Sequence, residues 1–283
     1  MGATVGVIGA GTMGRGIAQV AACAGLEVLL HDISAEALRD ASLRIASEVR
    51  SNAARGHFPE DQVATALARI HPRRALHELA ESDIIIEAAA EDLELKKELF
   101  RSLDRFARPH TILATNTSSL SVTALASLTH VPASVVGMHF FNPPMRMRLV
   151  EIVRTGRTSD ETIKRTSDFA RMMGKTPIIC NDHPGFVVNR IARPFYGEAL
   201  RLLGEGVSTV EEIDRIVRLS GDFRMGPFEL MDLIGIDVNY AVTQSVYERS
   251  FFEPRFRPHP IQRQMVEAGM LGRKSGKGFY SYG

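Results

Sequence analysis

Short apolar segments alternate with longer amphipathic ones from residue 4 to residue 180. We predict helices at 11–24, 35–54 and 93–106. Strands are predicted at 4–9, 28–32, 83–87, 111–115, 135–139, 149–153 and 176–180. Apolar strands of this length are expected to be buried on both faces. This pattern is typical of an α/β fold, a Rossmann-type and mostly parallel sheet with helices on each side.

The pattern changes after the sequence His183-Pro184-Gly185. Three segments with helical apolar spacing follow, at 186–203, 210–219 and 228–249. Ser208, with Glu211 three residues later, predicts the N-cap of the second of these helices, and Pro227 suits the first position of the third. We therefore expect a first domain over residues 1–184 and an all-helical second domain over residues 185–283.

Composition narrows the class of protein. A chain of 283 residues with 45% hydrophobic and 24% charged residues is typical of a globular protein with two domains, and one long domain is the alternative. With 34 basic and 33 acidic residues, a nucleic-acid partner is not expected. No apolar run approaches the roughly 20 residues of a membrane-spanning helix, and the first strand leaves no room for a signal peptide, so a cytoplasmic location is expected. Cys23 and Cys180 predict neither a disulfide nor a metal site.

A glycine motif lies between the first strand and the first helix. Gly9, Gly11 and Gly14 have the GxGxxG spacing, with Thr12 and Met13 between the last two. The first glycine permits the tight turn, the second lets a pyrophosphate approach the backbone, and the third lets helix and strand pack closely. The free N–H groups at the helix start would bind phosphate oxygens. A purely structural turn is the alternative.

Asp32 supports the interpretation of the glycine motif as a dinucleotide-binding turn. It ends the second strand, 18 residues after Gly14, where a carboxylate can accept hydrogen bonds from the adenine ribose. The same charge would repel a 2′-phosphate, so NAD is favoured over NADP. The alternative is that Asp32 only begins the turn before the next helix.

Polar residues follow the strands that end near residues 115 and 139. The sequence reads NTSSL at 116–120 and GMHFFNPP at 137–144, with Glu151 on the next strand. An imidazole, with an ordinary pKa of about 6.5, suits proton removal from an alcohol, and a carboxylate can orient it. His139 and Glu151 are therefore a candidate catalytic pair, and Ser118 and Asn189 are candidate donors to a substrate oxygen. As alternatives, His139 is a hydrogen-bonded core residue and Glu151 a surface ion-pair partner.

Seven motifs in order resemble the 3-hydroxyacyl-CoA dehydrogenase family, particularly the bacterial 3-hydroxybutyryl-CoA and 3-hydroxyadipyl-CoA types. They extend from about residue 4 to residue 282 and read GVIGAGTMGRGIA, ATNTSSL, GMHFFNPP, RLVEIV, HPGFVVNRIARPF, MGPFELMDLIGIDV and GRKSGKGFY. The resemblance implies an enzyme that oxidises the 3-hydroxyl of an acyl-CoA with NAD as hydride acceptor. It also implies a homodimer formed through the helical domain, for which the apolar stretch 228–236 would provide the surface.

The resemblance also implies roles for individual residues. His139 would be the base and Glu151 its partner, with Ser118 and Asn189 in contact with substrate oxygens. The residues implied to contact NAD are Asp32, Glu91, Lys96, Ser118, Asn142 and Lys274. Without the resemblance, Lys96 would be interpreted as part of a solvated helix face.

Two arginines concern the substrate, and the first is a departure from the family. Arg146 adds a charge after the HFFNPP motif, where it would bind a distal carboxylate, as in a 3-hydroxyadipyl chain, or be a solvated turn residue. Arg55, at the tail of the helix over 35–54, is a candidate contact for the CoA phosphates, with a solvated surface as the alternative.

Two other functions compete with this reading. The β-hydroxyacid dehydrogenases share the layout but use a catalytic lysine, and the corresponding segment PGFVVNRIARPF contains none. The other is a non-catalytic protein that binds NAD and an acyl-CoA. The presence of Ser118, His139, Glu151 and Asn189 favours an enzyme.

Overall fold

A computed structural model describes residues 3–283 of the chain. These residues form two compact units, divided between Asp182 and His183. Within the described range, no helix is both long and apolar enough to cross a membrane.

The first unit alternates strands and helices. Its elements are β1 (Thr4–Ile8), α1 (Thr12–Cys23), β2 (Glu27–His31), α2 (Ala35–Ala54), α3 (Val63–Ala68), β3 (Ile70–Arg73), β4 (Ile84–Glu87), α4 (Leu93–Asp104), β5 (Ile112–Thr115), α5 (Val122–Ala126), β6 (Val135–Phe140), β7 (Leu149–Arg154), α6 (Asp160–Met172) and β8 (Thr176–Asn181).

The eight strands form one sheet in the order β3-β2-β1-β4-β5-β6-β7-β8. All neighbouring strands are parallel except β6 and β7, which are antiparallel. The chain continues from β1 toward one edge of the sheet and returns through β4 toward the other. The carboxyl ends of β1 and β4 therefore flank the crevice in which open α/β sheets bind ligands.

The central strands were recognisable in the sequence because they are buried and therefore almost entirely apolar. Every residue of β4, β5 and β6 is buried, as parallel strands covered on both faces require. The apolar pattern did not predict five elements, α3, β3, α5, α6 and, in the second unit, α11 (Pro260–Glu267). β3 is an edge strand, IHPR, that contains a proline and an arginine, and α6 is mostly polar, with a narrow buried face.

The second unit is helical and has its own core. Its helices are α7 (Val188–Gly204), α8 (Val210–Gly221), α9 (Pro227–Ile234), α10 (Ile236–Arg249) and α11 (Pro260–Glu267). The core residues include Tyr196, Leu200, Phe228, Met231 and Ile236. The mostly parallel sheet followed by a helical unit confirms the predicted fold class.

Two helix boundaries differ from the sequence prediction. The helix expected over 228–249 is interrupted at Gly235, whose φ of +100° lies outside helical geometry. The N-cap of α8 is Thr209, not Ser208, because the hydroxyl of Thr209 accepts a hydrogen bond from the Glu212 amide. Pro227 is the first residue of α9, as predicted.

A buried carboxylate fastens the C-terminal segment to α9. Asp232 is 1% exposed and accepts hydrogen bonds from the amides of Phe279 (3.0 Å) and Tyr280 (2.9 Å) and from the hydroxyl of Tyr282 (2.9 Å). This arrangement fixes the backbone of the segment that carries Lys274.

Gly14 gives a stability test of the turn between β1 and α1. A Cβ atom at Gly14 would lie 1.7 Å from the carbonyl oxygen of Gly9, so the backbone would have to move. We expect Gly14→Ala to lower the free energy of unfolding by about 3 kcal/mol, despite the higher helix propensity of alanine. Chemical denaturation measures this change.

Gly11→Ala is the matched control. No heavy atom lies within 4 Å of the position that its Cβ would take, so we expect a change below about 1 kcal/mol. Equal stability of the two variants would contradict the close contact between Gly14 and Gly9.

Candidate active site

The turn after β1 is shaped to receive an anion. Gly9 has a φ of +96°, and a Cβ there would meet the carbonyl oxygen of Ala88 at 2.7 Å. Gly11 is the N-cap of α1 and offers no side-chain acceptor to the first helical N–H groups, which include those of Thr12 and Met13. The space beside Gly11 is open. A pyrophosphate therefore fits this turn, bound by the helix N-terminus.

Asp32 ties the glycine turn to the segment before α2. Its carboxylate accepts hydrogen bonds from the Ala10 amide (2.8 Å) and the Ser34 amide (2.9 Å). The bond from the Ser34 amide corresponds to the alternative considered from the sequence, in which Asp32 begins the turn before α2. Because each carboxylate oxygen accepts only one of these bonds and the residue is half-buried, the carboxylate can still accept bonds from ribose hydroxyls.

A buried ion pair lies at the carboxyl end of β4. The Lys96 ammonium nitrogen is 2.6 Å from Oε1 of Glu87, and the two side chains are 1% and 0% exposed. Glu87 also accepts hydrogen bonds from the Thr115 hydroxyl and the Ala89 amide, each at 2.7 Å. Lys96 is thus buried in the protein interior, whereas the charged sequence around it predicted a solvated helix face. Glu87 was not singled out from the sequence.

Glu91 connects this pair to the NTSSL segment. Its Oε2 is 3.5 Å from the Lys96 ammonium group, and its Oε1 accepts hydrogen bonds from the Thr117 hydroxyl (2.6 Å) and the Ser118 amide (2.9 Å). Burial raises the pKa of Glu91, but these hydrogen bonds and Lys96 outweigh it, so the pKa is lowered. The ionised carboxylate therefore holds the backbone on which Ser118 lies.

His139 and Glu151 face each other across the antiparallel pair of β6 and β7. They are register partners, and Nδ1 of His139 is 2.7 Å from Oε2 of Glu151. His139 is 6% exposed and Glu151 is fully buried. The Phe141 ring packs 4.6 Å from the imidazole, centroid to centroid. With Nδ1 donating to the carboxylate, Nε2 keeps its lone pair and can accept a proton.

The loop between β6 and β7 is held at two points. Pro144 packs closely on α1, where a Cβ at Gly16 would lie 2.8 Å from its ring. The Lys175 ammonium group donates hydrogen bonds to the carbonyl oxygens of Pro144 (2.5 Å) and Met147 (3.0 Å). This loop carries Asn142, which is exposed.

The remaining predicted residues make other contacts within their own units. Arg55 is the exposed C-cap residue of α2 and donates to the Ser51 hydroxyl at 2.6 Å, while Arg146 is exposed in the loop after β6. In the second unit, Asn189 is half-buried in the first turn of α7. The Lys274 ammonium group contacts Oδ2 of Asp237 at 2.6 Å. Among residues 3–283, no group of three or more potential ligands could hold a metal ion.

Sequence reasoning missed Glu87, Asn116 and Lys175. Asn116 accepts a hydrogen bond from the Phe140 amide (2.8 Å) and so links the NTSSL segment to the end of β6, beside His139. A usable signal existed for Glu87, because a single charged residue ends an otherwise apolar strand. No comparable signal marks Lys175, whose contacts depend on the path of the loop between β6 and β7.

An open glycine turn, an acidic residue at the end of β2 and a buried histidine–carboxylate pair define an NAD-dependent dehydrogenase. Residues 4–183 match the family model for the NAD-binding domain of 3-hydroxyacyl-CoA dehydrogenase. Residues 185–282 match the model for the C-terminal domain of the same enzyme. The chain belongs to the 3-hydroxyacyl-CoA dehydrogenase family, which confirms the resemblance seen in the motifs.

Relatives cover the whole chain. It is 48% identical to the 3-hydroxyadipyl-CoA dehydrogenase of Escherichia coli over 99% of its own length, and spans 59% of that protein. It is 44% identical to a probable 3-hydroxybutyryl-CoA dehydrogenase of Deinococcus radiodurans, covering 98% of this chain and 99% of the relative. The crystal structure of (S)-3-hydroxybutyryl-CoA dehydrogenase from Ralstonia eutropha matches with a TM-score of 0.95, 42% identity and complete coverage of both chains.

These matches decide between the functions considered from the sequence. The protein is an NAD-dependent 3-hydroxyacyl-CoA dehydrogenase, similar to 3-hydroxybutyryl-CoA dehydrogenases. The lysine-dependent β-hydroxyacid dehydrogenases do not account for family models of 3-hydroxyacyl-CoA dehydrogenase that together match nearly the whole chain.

The Glu87–Lys96 pair gives a test within the site. Replacing Glu87 with glutamine leaves a buried ammonium group without its nearest charge, so we expect Glu87→Gln to lower the free energy of unfolding by on the order of 3 kcal/mol. Denaturant titration measures the loss.

Glu94→Gln is the control, on the helix α4 that carries Lys96. Glu94 is 73% exposed and pairs with Lys97 on the surface, so a change below about 1 kcal/mol is expected. If both variants were as stable as the parent protein, the buried pair would not stabilise the fold.

Proposed function

We propose that this protein transfers a hydride between NAD and C3 of a short (S)-3-hydroxyacyl-CoA, with 3-hydroxybutyryl-CoA as the reference substrate and His139 as the base. The observation that carries the proposal is the contact between Nδ1 of His139 and Oε2 of the fully buried Glu151. The similarity to 3-hydroxybutyryl-CoA dehydrogenases over whole chains supports the substrate class.

The pair performs the proton transfer. In oxidation, Nε2 of His139 accepts the proton of the 3-hydroxyl, and the carboxylate of Glu151 stabilises the imidazolium that forms. NAD, when bound, accepts the hydride that leaves C3. In the reverse direction, Nε2–H returns the proton to the carbonyl oxygen of the 3-oxoacyl-CoA. Because both side chains are buried, bulk water competes little for either group.

NAD contacts are proposed for the glycine turn, Asp32, Glu91, Lys96, Ser118, Asn142 and Lys274. The open space at Gly11 and the uncapped start of α1 support the pyrophosphate site. For Lys96, which is 1% exposed, the contacts with Glu87 and Glu91 also support a role in holding Glu91. Lys274 is 44% exposed and therefore accessible to a ligand.

Substrate contacts are proposed for Ser118, Asn189 and Arg55. The hydroxyl of Ser118 lies on backbone held by Glu91, which supports a fixed position for this group. Asn189 would donate to the second substrate oxygen from α7. Arg55 is exposed at the end of α2 and would contact the CoA phosphates. Residues 1–184 are proposed as the NAD-binding domain, and residues 185–283 as the helical substrate and dimerisation domain. A cytoplasmic location is part of the same proposal.

A second substrate is favoured by one comparison. The relative that shares 48% identity is a 3-hydroxyadipyl-CoA dehydrogenase, whose substrate name denotes a chain with a distal carboxylate. Arg146, the residue considered from the sequence for contact with a distal carboxylate, is exposed. This exposure agrees with the alternative, in which Arg146 is a solvated turn residue.

Replacement of His139 tests the proposed chemistry. We expect His139→Gln to lower kcat for acetoacetyl-CoA reduction by on the order of 10²–10⁴, with NADH affinity nearly unchanged, because only the proton transfer is removed. Absorbance of NADH follows turnover, and its fluorescence reports binding.

His130→Gln is the matched control. His130 also contacts a carboxylate, Asp104, at 2.5 Å, but its side chain is 93% exposed. We expect this variant to retain full activity. Full activity in His139→Gln would refute the proposed base, and no turnover of any 3-oxoacyl-CoA by the parent protein would refute the proposed function.

We also propose a homodimer formed through the helical unit. The stretch 228–236 was expected to provide the dimer surface. Its largest apolar side chains are not available for that role, because Phe228, Met231 and Ile236 are fully buried in the core. Other apolar side chains of the unit are exposed, and they include Ile216, Leu219, Phe223, Leu233, Ile234 and Val238.

Sedimentation at micromolar concentration tests the dimer. We expect twice the mass of one chain, and we expect Leu219→Glu, which places a charge among these apolar side chains, to shift the protein toward monomer. Leu43→Glu, at a 73% exposed position on α2, is the control and should remain dimeric. A monomeric parent protein would contradict the proposal.

A further inference from the structure

Lys175 carries a buried charge that the proposed proton transfer does not use. It lies just before β8 and is 8% exposed, and its ammonium group donates hydrogen bonds to the carbonyl oxygens of Pro144 (2.5 Å) and Met147 (3.0 Å). Within residues 3–283, this ammonium group makes no ion pair with a carboxylate. Burial lowers the pKa of Lys175, because the charged form is poorly solvated there.

Lys96, also buried, shows the contrast. Its ammonium group lies 2.6 Å from Oε1 of Glu87, so a carboxylate compensates for the loss of water. Lys175 has only backbone oxygens as partners in the described part of the chain. A buried charge without a counter-ion is costly, so Lys175 is better explained by the backbone that it holds than by a contribution to the core.

The two carbonyl groups belong to one turn of the loop between β6 and β7. The amides of Arg146 and Met147 both donate to the carbonyl oxygen of Pro143, at 3.0 and 3.1 Å, which closes the turn. Lys175 binds the next carbonyl oxygen and the last one of this turn, as a cation does at the carboxyl end of a helix. Pro143, Arg146 and Met147 are exposed, so their side chains contribute little to holding the turn.

Asn142 lies between two fixed points of this loop. On its amino side, the Phe140 amide donates to Oδ1 of Asn116 at 2.8 Å. On its carboxyl side, the Pro144 carbonyl oxygen accepts the bond from Lys175, and the Pro144 ring packs on α1. The backbone is therefore held two residues before and two residues after Asn142, whose side chain is exposed.

We propose that Lys175 is a positioning residue for the cofactor, which holds Asn142 in place for contact with bound NAD and so sets the affinity for NAD and NADH. This inference rests on the proposed function, in which Asn142 contacts NAD. Lys175 acts through the turn that it binds and not through contact with the cofactor. Proton transfer at His139 therefore does not depend on it.

Lys175→Met tests the proposal, because methionine has nearly the same length and lacks the N–H donors. We expect Kd for NADH to rise by on the order of tenfold, while kcat for acetoacetyl-CoA reduction at saturating NADH changes by less than about threefold. NADH fluorescence measures binding, and NADH absorbance measures turnover. Partial unfolding would lower kcat and leave Kd of the folded fraction unchanged, so the two effects are separable. An unchanged Kd would overturn the proposal.

A double-mutant cycle tests the route through Asn142. Asn142→Ala alone should also raise Kd for NADH by on the order of tenfold, and the double variant should remain near that value instead of reaching the roughly hundredfold of independent effects. Independent effects would overturn the action of Lys175 through Asn142 while leaving the NAD contact of Asn142 intact. Parent-like affinity in Asn142→Ala would refute that contact, which is part of the proposed function, and the inference with it.

Lys175→Ala gives a second readout, which a general loss of stability would not produce. Propylammonium can occupy the space of the missing side chain and donate to the same carbonyl oxygens, so we expect it to restore affinity for NADH. Tetramethylammonium has the same charge and no N–H donor, and should not restore it. An equal response to the two cations would overturn the role of the ammonium group.

Lys164→Met is the matched control. Lys164 is exposed on α6, the helix that precedes β8, and its replacement removes one positive charge from the same unit. We expect this variant to bind NADH like the parent protein. A rise in Kd as large as that of Lys175→Met would assign the effect to net charge and would overturn the proposal.

Discussion

The antiparallel pairing of β6 with β7 is the constraint on which the catalytic geometry depends. In a sheet that is otherwise parallel, this step brings the carboxyl end of one strand beside the amino end of the next, so His139 lies opposite Glu151. A fully buried carboxylate requires hydrogen-bond donors, and the imidazole supplies one at 2.7 Å. The same contact that satisfies Glu151 therefore orients the histidine.

Charge at the neighbouring strand ends follows the same principle. Glu87 is fully buried, and its oxygens are bonded to Lys96, Thr115 and a backbone amide. Lys96 in turn lies near Glu91, which accepts bonds from the segment that carries Ser118. Lys96 thus lies between two carboxylates, and the hydrogen bonds from Thr117 and Ser118 satisfy the rest of Glu91. The resulting network supports the segment that carries Ser118.

The helical unit shows where sequence patterns become ambiguous. The apolar stretch 228–236 looks like one face of a long helix, but Gly235 divides it, and its largest side chains are buried in the core. Arg190 and Arg193 are equivalent in the sequence. Only packing distinguishes them, because Arg193 reaches backbone and hydroxyl acceptors of α10, whereas Arg190 lies on the ring of Phe256.

The sequence by itself determined the alternation of strands and helices, the glycine turn with Asp32, and the family, because these depend on local periodicity and on motifs of fixed spacing. Tertiary structure decided what depends on neighbours distant in the chain. The burial of Lys96 against Glu87, the bond from the Phe140 amide to Asn116 and the hold of Lys175 on the loop before β7 join segments that no local pattern relates.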